Sequence, residues 1–450
     1  MKKLISILLV VALMTTLFSG CAKTPNTDSN EKTPEVTDTQ KDDPQKDEPV
    51  VEDTKNEDPI KIGVLVPLTG AFAALGVDGM EGTKMAFEEI DYTIGGRKVE
   101  LFFEDTAADP DLCIQKTSRL VEREGVDLIL GPLSGGEATA LKGYADRIPD
   151  TTIIVAGAAS EDVTMRGVPD NIFRTAFTGA QTMFAFGDYA YDVLGYRMVV
   201  TLAEDYDFPF SQVGGFMLNF VRKGGEVSDR LWVNVGTQDY SSIIAQIPED
   251  ADAIYVALGG TDAINFIKQF NDFGYGDKID ILGGSITVDT SIISTEAGAF
   301  LEGVYSGSHY AQVLPYPEFE KFDNDYNERF GRPSSLFAAD YYIGAKVAIA
   351  AMDAVGGNIE DQAAYREALL KVEMDTPRGP FKFDEYHNVI EHVYINQVQN
   401  IDGVLRNVVV ETYEDQTQFG PYHPEWYQSQ PSFDRTNPTV ESIMSAKMAE

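Results

Sequence analysis

From residue 60 onward, short apolar runs alternate with segments whose apolar positions recur every three or four residues. Residues 60–67, 98–104, 127–130 and 152–156 read as strands. Between them, 76–91 places Met80, Ala86, Phe87 and Ile90 on one side of a helix, and 109–124 and 137–147 repeat that spacing. After Arg174 and Thr175 a second series begins. Helices are predicted at 179–193, 213–223, 240–246 and 261–272, with strands at 198–203, 227–233, 253–257 and 279–283. Residues 317–330 and 336–355 are helical again, and 379–383, 389–397 and 403–411 are strands. The alternation predicts an α/β fold of two Rossmann-like lobes, each a parallel sheet covered by helices on both faces. The tail, 416–450, is polar and aromatic with four prolines (Pro421, Pro424, Pro431, Pro438), has no period, and receives no position.

The chain begins differently. Lys2 and Lys3, an apolar run over 4–17 and the ending Phe18-Ser19-Gly20-Cys21 read as a secretory signal, too short for a membrane span of ~20 residues. The Ser-Gly-Cys ending resembles the bacterial lipobox, which implies lipidation of Cys21; Phe18 stands where leucine is usual. Residues 22–58 carry 5 Lys against 12 Asp and Glu and are expected to form a disordered acidic tether, since so polar a segment buries too little to offset ordering entropy. The predicted address is the cell envelope, with the domain tethered to the outer face of the cytoplasmic membrane.

The formal net charge of −37 belongs mainly to the folded part. It disfavours nucleic acid and other polyanions. Two cysteines make no disulfide framework, and Cys113, at helical spacing with Thr117, Leu120 and Val121, reads as a core residue. His309, His387, His392 and His423 have no metal-ligand spacing. No Gly-x-Ser-x-Gly, His-Glu-x-x-His or Walker sequence is present; GMEGTK at 79–84 has the wrong spacing, and Asp384, Glu385 and His387 read as a turn before a strand. An enzyme is therefore not expected, nor a cofactor.

Several runs, in order, resemble the periplasmic-binding-protein type I family, specifically the branched-chain amino-acid (Leu/Ile/Val) receptor group of ABC importers. They are IKIGVLVPLTGAFAALG from Ile60, FFEDTAADPDLC from Phe102, GVDLILGPLSGGEATA from Gly125, AEDYDFPFSQ from Ala203, DYSSIIAQIPEDADAIYVALGG from Asp239 and GPFKFDEYHNV from Gly379. The resemblance implies two lobes joined by a three-crossing hinge, with a small solute held in the cleft and delivered to a membrane permease, or sensed by a signalling receptor. Lobe one would comprise 60–176 plus 308–378, and lobe two 177–307 plus 379–415, with hinges near 175–178, 306–310 and 376–379. A monomer is expected.

Ligands of open parallel sheets bind beyond the C-terminal strand ends, where helix N-termini direct unpaired N–H groups outward. Ser134, Gly135 and Gly136 follow one strand end, and Ala158, Ala159 and Ser160 follow the next. The first loop suits a carboxylate. Leu75, Phe72, Tyr206 and Phe208 are candidates for an apolar wall, and Gly259 and Asp262 for further contacts from lobe two. Departures from the resembled pattern are informative. Gly135 stands where a hydroxyl residue is usual, Ala159 near the usual threonine, and Phe208-Pro209 where Tyr-Gly is usual. The acid that would hold an amino group aligns near Ser285. Asp207, Asp262 and Asp289 are candidates to replace it, each equally a loop or helix-start residue. The ligand is thus expected to be a hydrophobic amino acid or, alternatively, an amine-free aromatic or aliphatic acid.

Overall fold

The computed structural model describes residues 57–449, so the expected signal, Cys21 and nearly all of the tether lie outside the described residues. Its first sheet comprises β1 (Ile60–Val66), β2 (Thr93–Ile94), β3 (Arg97–Asp105), β4 (Leu128–Leu130), β5 (Thr152–Val155) and β6 (Ile172–Arg174), in the order β2-β3-β1-β4-β5-β6. All pairs are parallel except β2 with β3. Strands β1, β4, β5 and β6 are almost wholly buried, as helices on both faces require, while β3 is only partly so.

The second sheet holds β7 (Met198–Glu204), β8 (Glu226–Val233), β9 (Ala253–Ala257), β10 (Asp280–Gly283), β11 (Tyr305–Ser308), β12 (Met374–Thr376), β13 (Gly379–Phe383), β14 (Val389–Ile401) and β15 (Val404–Gln416). Its order is β12-β13-β14-β11-β10-β9-β7-β8, with β15 beside β14. Strands β7 to β11 are parallel; β14 runs antiparallel to β11, β13 and β15, so this sheet is mixed where parallel strands alone were expected. The β14–β15 hairpin turns through Asp402 and Gly403, both at positive φ, the geometry that matches strand twist in a two-residue turn.

Local chemistry fixes the helix starts that matter here. Ser134 and Thr178 each close a capping box, with Glu137 and Gln181 respectively, at the heads of Gly135–Tyr144 and Gly179–Asp192. The helix Leu336–Ala354 is apolar nearly all round and correspondingly buried. It packs on Ala73–Glu88 so closely that a Cβ at Gly82 would lie 2.0 Å from the Ala338 carbonyl oxygen, a contact only glycine permits. The helix Asp207–Arg222 begins well before the expected residue 213, because Pro209 sits in its first turn, where no intrahelical N–H bond is lost. Strands β6, β11 and β12 and the helix Gln362–Leu370 have no counterpart in the periodic reading. β11, Tyr-Ser-Gly-Ser, carries no apolar alternation and is ordered by pairing with β10 and β14.

The lobes are joined where three crossings meet one buried polar knot. Arg378, on the third crossing, donates to Asp340 Oδ1 at 2.7 Å and to the Thr175 and Ala176 carbonyls of the first at 2.7 and 3.3 Å. His309, on the second, lies 2.9 Å from Asp340 Oδ1 and stacks on Phe177 at 3.9 Å between ring centroids. Burial pushes the His309 pKa down, favouring the neutral ring.

Candidate functional site

The first and second lobes face each other over an apolar cavity. Of the residues expected there, Phe72, Leu75, Ser134, Gly135 and Ala159 line it from lobe one, and Tyr206 and Phe208 from lobe two. Leu133 and Gly157, which open the two expected loops, complete the wall with Phe177, Ile286 and Phe337; these last three were not anticipated, since an apolar residue at a strand end or crossing is indistinguishable from core. The enclosed space is about 20 Å³, room for little more than a water, so a ligand enters only when the lobes part or the aromatic wall shifts. Gly136 instead borders a second hollow of about 240 Å³ at the cleft mouth, which shares Phe72, Ser134 and Tyr206 with the inner one.

The helix N-terminus between these two spaces presents backbone N–H donors. The Ser134 N–H is engaged by Glu137 Oε2 at 2.9 Å, and the Ser134 hydroxyl accepts from the Glu137 N–H at 3.4 Å. The N–H groups of Gly135 and Gly136, the first two helical positions, have no intrahelical acceptor and remain as donors. Burial pushes the Glu137 carboxyl above its usual range, the direction that weakens its repulsion of a bound anion.

Other expected residues support the wall from behind. Ser160 Oγ donates to the Gly135 carbonyl at 3.1 Å and the Ala158 N–H to Pro132 O at 3.1 Å, fastening the two loops together. The Gly259 N–H donates to Glu204 Oε1 at 3.2 Å, and a Cβ on Gly259 would lie 2.6 Å from Ile286 Cδ1. Ser285 lies off the cavity wall; its N–H and hydroxyl both bond the Gln212 amide at 3.0 Å, so a neutral pair occupies this position.

None of the three candidate replacement acids reaches the cavity. Asp207 Oδ2 accepts from Thr139 Oγ1 across the cleft at 2.6 Å. Asp262 accepts from the Gly236 N–H at 2.6 Å and braces that loop. Asp289 caps Thr290–Ile293 and accepts from the Leu336 N–H at 3.2 Å.

The acid that sequence reasoning missed is Glu204, fully buried at the end of β7. Its carboxyl accepts from the Gly259 N–H and interacts with the Tyr206 hydroxyl. Burial pushes its pKa up to about 8, the Gly259 N–H pulls it back and Asp262 pushes it further up. Burial and then the Glu204 carboxylate drive the Tyr206 hydroxyl well above its ordinary range. A carboxyl ending an otherwise apolar strand, MVVTLAE, was the available signal.

This predicts a pH dependence. Because the folded-state value exceeds the ordinary 4.5, the native chain keeps a proton that the unfolded chain releases. The contribution is therefore intact below about pH 4.5 and is lost progressively as pH rises to about 8. Glu204→Gln, neutral throughout, is expected to raise Tm over the parent at about pH 9 and hardly at all at about pH 4. Equal shifts at both pH values would exclude the buried charge as the cause.

A family model for periplasmic binding proteins matches residues 59–403. The chain belongs to the periplasmic binding protein family. Its members are solute-binding components of transport systems, working outside the cytoplasmic membrane, rather than enzymes. Among curated relatives, Leu/Ile/Val-binding protein homolog 6 of Brucella melitensis is 27% identical over 366 residues, 79% of this chain and 92% of that protein. An ABC transporter substrate-binding protein from Sphaerobacter thermophilus is 32% identical with a TM-score of 0.74, over 80% of this chain and 99% of that one. A solute-binding protein from Rhodopseudomonas palustris BisB5, solved with 3,4-dihydroxybenzoic acid, is 26% identical with a TM-score of 0.75, over 81% and 99%. Among the described residues, no helix of this periplasmic binding protein is long and apolar enough to cross a membrane.

Proposed function

We propose that this chain is the lipid-anchored solute-binding component of an ABC importer, closing over a small carboxylate with an aromatic or branched apolar body and no amine. The observation that carries the ligand class is the cavity wall. It offers N–H donors at Gly135, the Ser134 hydroxyl and several aromatic rings, but no Asp, Glu, Lys or Arg side chain. An ammonium enclosed there without an anion would forfeit several kcal/mol of hydration. An aromatic acid meets no such penalty: its carboxylate takes the helix N-terminus and its ring lies among Phe72, Phe177, Tyr206 and Phe208. The Rhodopseudomonas protein, with its dihydroxybenzoic acid, supports this reading. Anchoring through Cys21 and delivery to a permease rest on the lipobox-like ending and on the family.

A second reading, a hydrophobic amino acid, is favoured by Glu204, a buried carboxyl that stands directly behind Tyr206 of the cavity wall and is the acid nearest to serve an ammonium there. The naming of the Brucella relatives for Leu, Ile and Val agrees with it.

A thermal-shift series separates the two. Benzoate, hydroxybenzoates, phenylacetate and 4-methylvalerate are compared with leucine, isoleucine, valine and phenylalanine. A ligand at a hundredfold excess over Kd stabilises by ~2.7 kcal/mol, a clear rise in Tm. Shifts from amine-free acids are expected; shifts confined to amino acids would overturn the first reading in favour of the second. In the producing cells, Cys21→Ser should move the protein from the membrane fraction to the soluble one, and retention on the membrane would dismiss the anchor.

A further inference from the structure

We propose that the segment after β15 is an interlobe strap that holds the two lobes in their closed arrangement. The family match ends at residue 403, before this segment begins. It is not a loose end: Phe419, Tyr422, Trp426, Tyr427 and Ile443 are buried, and Pro424–Ser429 and Val440–Met444 are short helices.

One set of contacts binds it to lobe two. Tyr422 Oη donates to Asn219 Oδ1 at 2.5 Å, and the Tyr422 and Tyr427 rings meet Phe184 edge-on at 5.6 and 6.1 Å. Phe433 lies over Gly214 of Asp207–Arg222, where a Cβ would come within 2.5 Å of its ring. Arg230 Nη2 donates to the Pro438 carbonyl at 2.6 Å.

A second set binds it to residues 161–166, which run between β5 and β6 of lobe one. Arg166 donates to the Gln428 and Tyr427 carbonyls at 3.1 and 3.2 Å, and Gln428 Nε2 returns a bond to Met165 O at 3.1 Å. The Ser432 hydroxyl donates to the Asp162 carboxylate, and the Phe433 N–H to Glu161 Oε2 at 3.3 Å. Residues 161–166 are tied into lobe one at their outer end, where Lys142 Nζ donates to the Asp162 and Arg166 carbonyls, while Thr164 donates to Asn388 at 3.0 Å beside the first crossing and Met165 packs in the core of lobe two.

Phe433 therefore has its ring on one lobe and its N–H on the other. A hinge motion that carried residues 161–166 with lobe one would draw them away from the helix Asp207–Arg222, and a segment fixed to both cannot follow both. Opening must break one set of contacts, which biases the equilibrium toward closure even before a ligand binds.

Hydrogen exchange on the full chain without added ligand tests this, so the outcome is independent of which solute the cleft takes. In a Gln428→Ala/Ser432→Ala chain, cleft segments 72–76 and 206–210 are expected to exchange at least threefold faster than in the parent, with β1 and β9 unchanged. Arg435→Ala, which frees only Asp205 of lobe two, should leave the cleft at the parental rate. Parental cleft rates in the double variant, or equal acceleration in both variants, would overturn the strap. Should β1 and β9 also accelerate in the double variant, Ser432→Ala alone is read by the same two outcomes.

Discussion

A Gly135→Val chain is expected to fold normally and to lose ligand binding by ~100-fold or more, because its lobes can no longer reach the closed contact. Gly135 has ordinary helical backbone geometry, so valine is tolerated by the helix itself. The obstacle is the opposite lobe: a Cβ there would stand 3.0 Å from Phe208 Cβ, 3.1 Å from the Phe208 nitrogen and 3.1 Å from Ser160 Cβ. The two Phe208 atoms belong to lobe two, Ser160 lies in the same lobe as Gly135 and has only a few tenths of an ångström to give, and valine adds two methyl groups beyond that Cβ. Closure would push the Asp207–Arg222 helix outward and break the Thr139–Asp207 bond that seals the cleft. Calorimetric titration with the strongest ligand of the thermal-shift series measures the effect, and unfolding without ligand checks that Tm is retained. Binding within a few-fold of the parent would show that the lobes do not close at this point.

Arg378→Met is expected to be the most destabilising single change at the hinge, at roughly 3–5 kcal/mol. The guanidinium is buried, as is its partner Asp340. Its removal leaves that carboxylate with only the His309 ring, whose pKa burial holds low, and strips the Thr175 and Ala176 carbonyls of their donor. A carboxylate left in an apolar interior without a counter-charge costs more than the pair contributed. Denaturant titration should show the midpoint fall, and Arg378→Met/Asp340→Asn should recover part of the loss because the Asp340 charge is then removed, leaving only Glu391, 3.5 Å from the lost guanidinium, without its partner. A cost below ~1 kcal/mol for the single change would mean that solvent reaches the knot.

Much of the helix placement was legible because capping and amphipathicity act over a few residues. The helix Pro317–Phe330 and strand β13 fall on the expected bounds, and Ser134 with Glu137 three residues on is a complete N-terminal signal within four positions. The same locality explains why the Ser134–Gly136 loop could be proposed as an anion site before any contact was known. Reading the acid was harder. Asp207, Asp262 and Asp289 look alike in sequence, and only their partners separate them: a threonine across the cleft, a loop N–H and a helix head. Glu204 escaped notice because it ends a strand, while its hydrogen-bond partner, Gly259, lies 55 residues away. The aromatic tail, aperiodic as a string, becomes ordered by Phe184, Asn219 and Arg166, each more than 200 residues distant.

The amino-acid sequence by itself determined the α/β alternation, the paired lobes, the loops at the strand ends and the apolar character of the cleft, since each depends on spacings of two to four residues. Tertiary structure alone decided where the charges stand: that no candidate acid faces the cavity, that Ser285 is matched by neutral Gln212, that Arg378 binds three crossings together and that the tail spans both lobes. Electrostatics and strapping depend on desolvation and on groups brought together from remote positions, and neither distance nor burial is encoded in a local pattern.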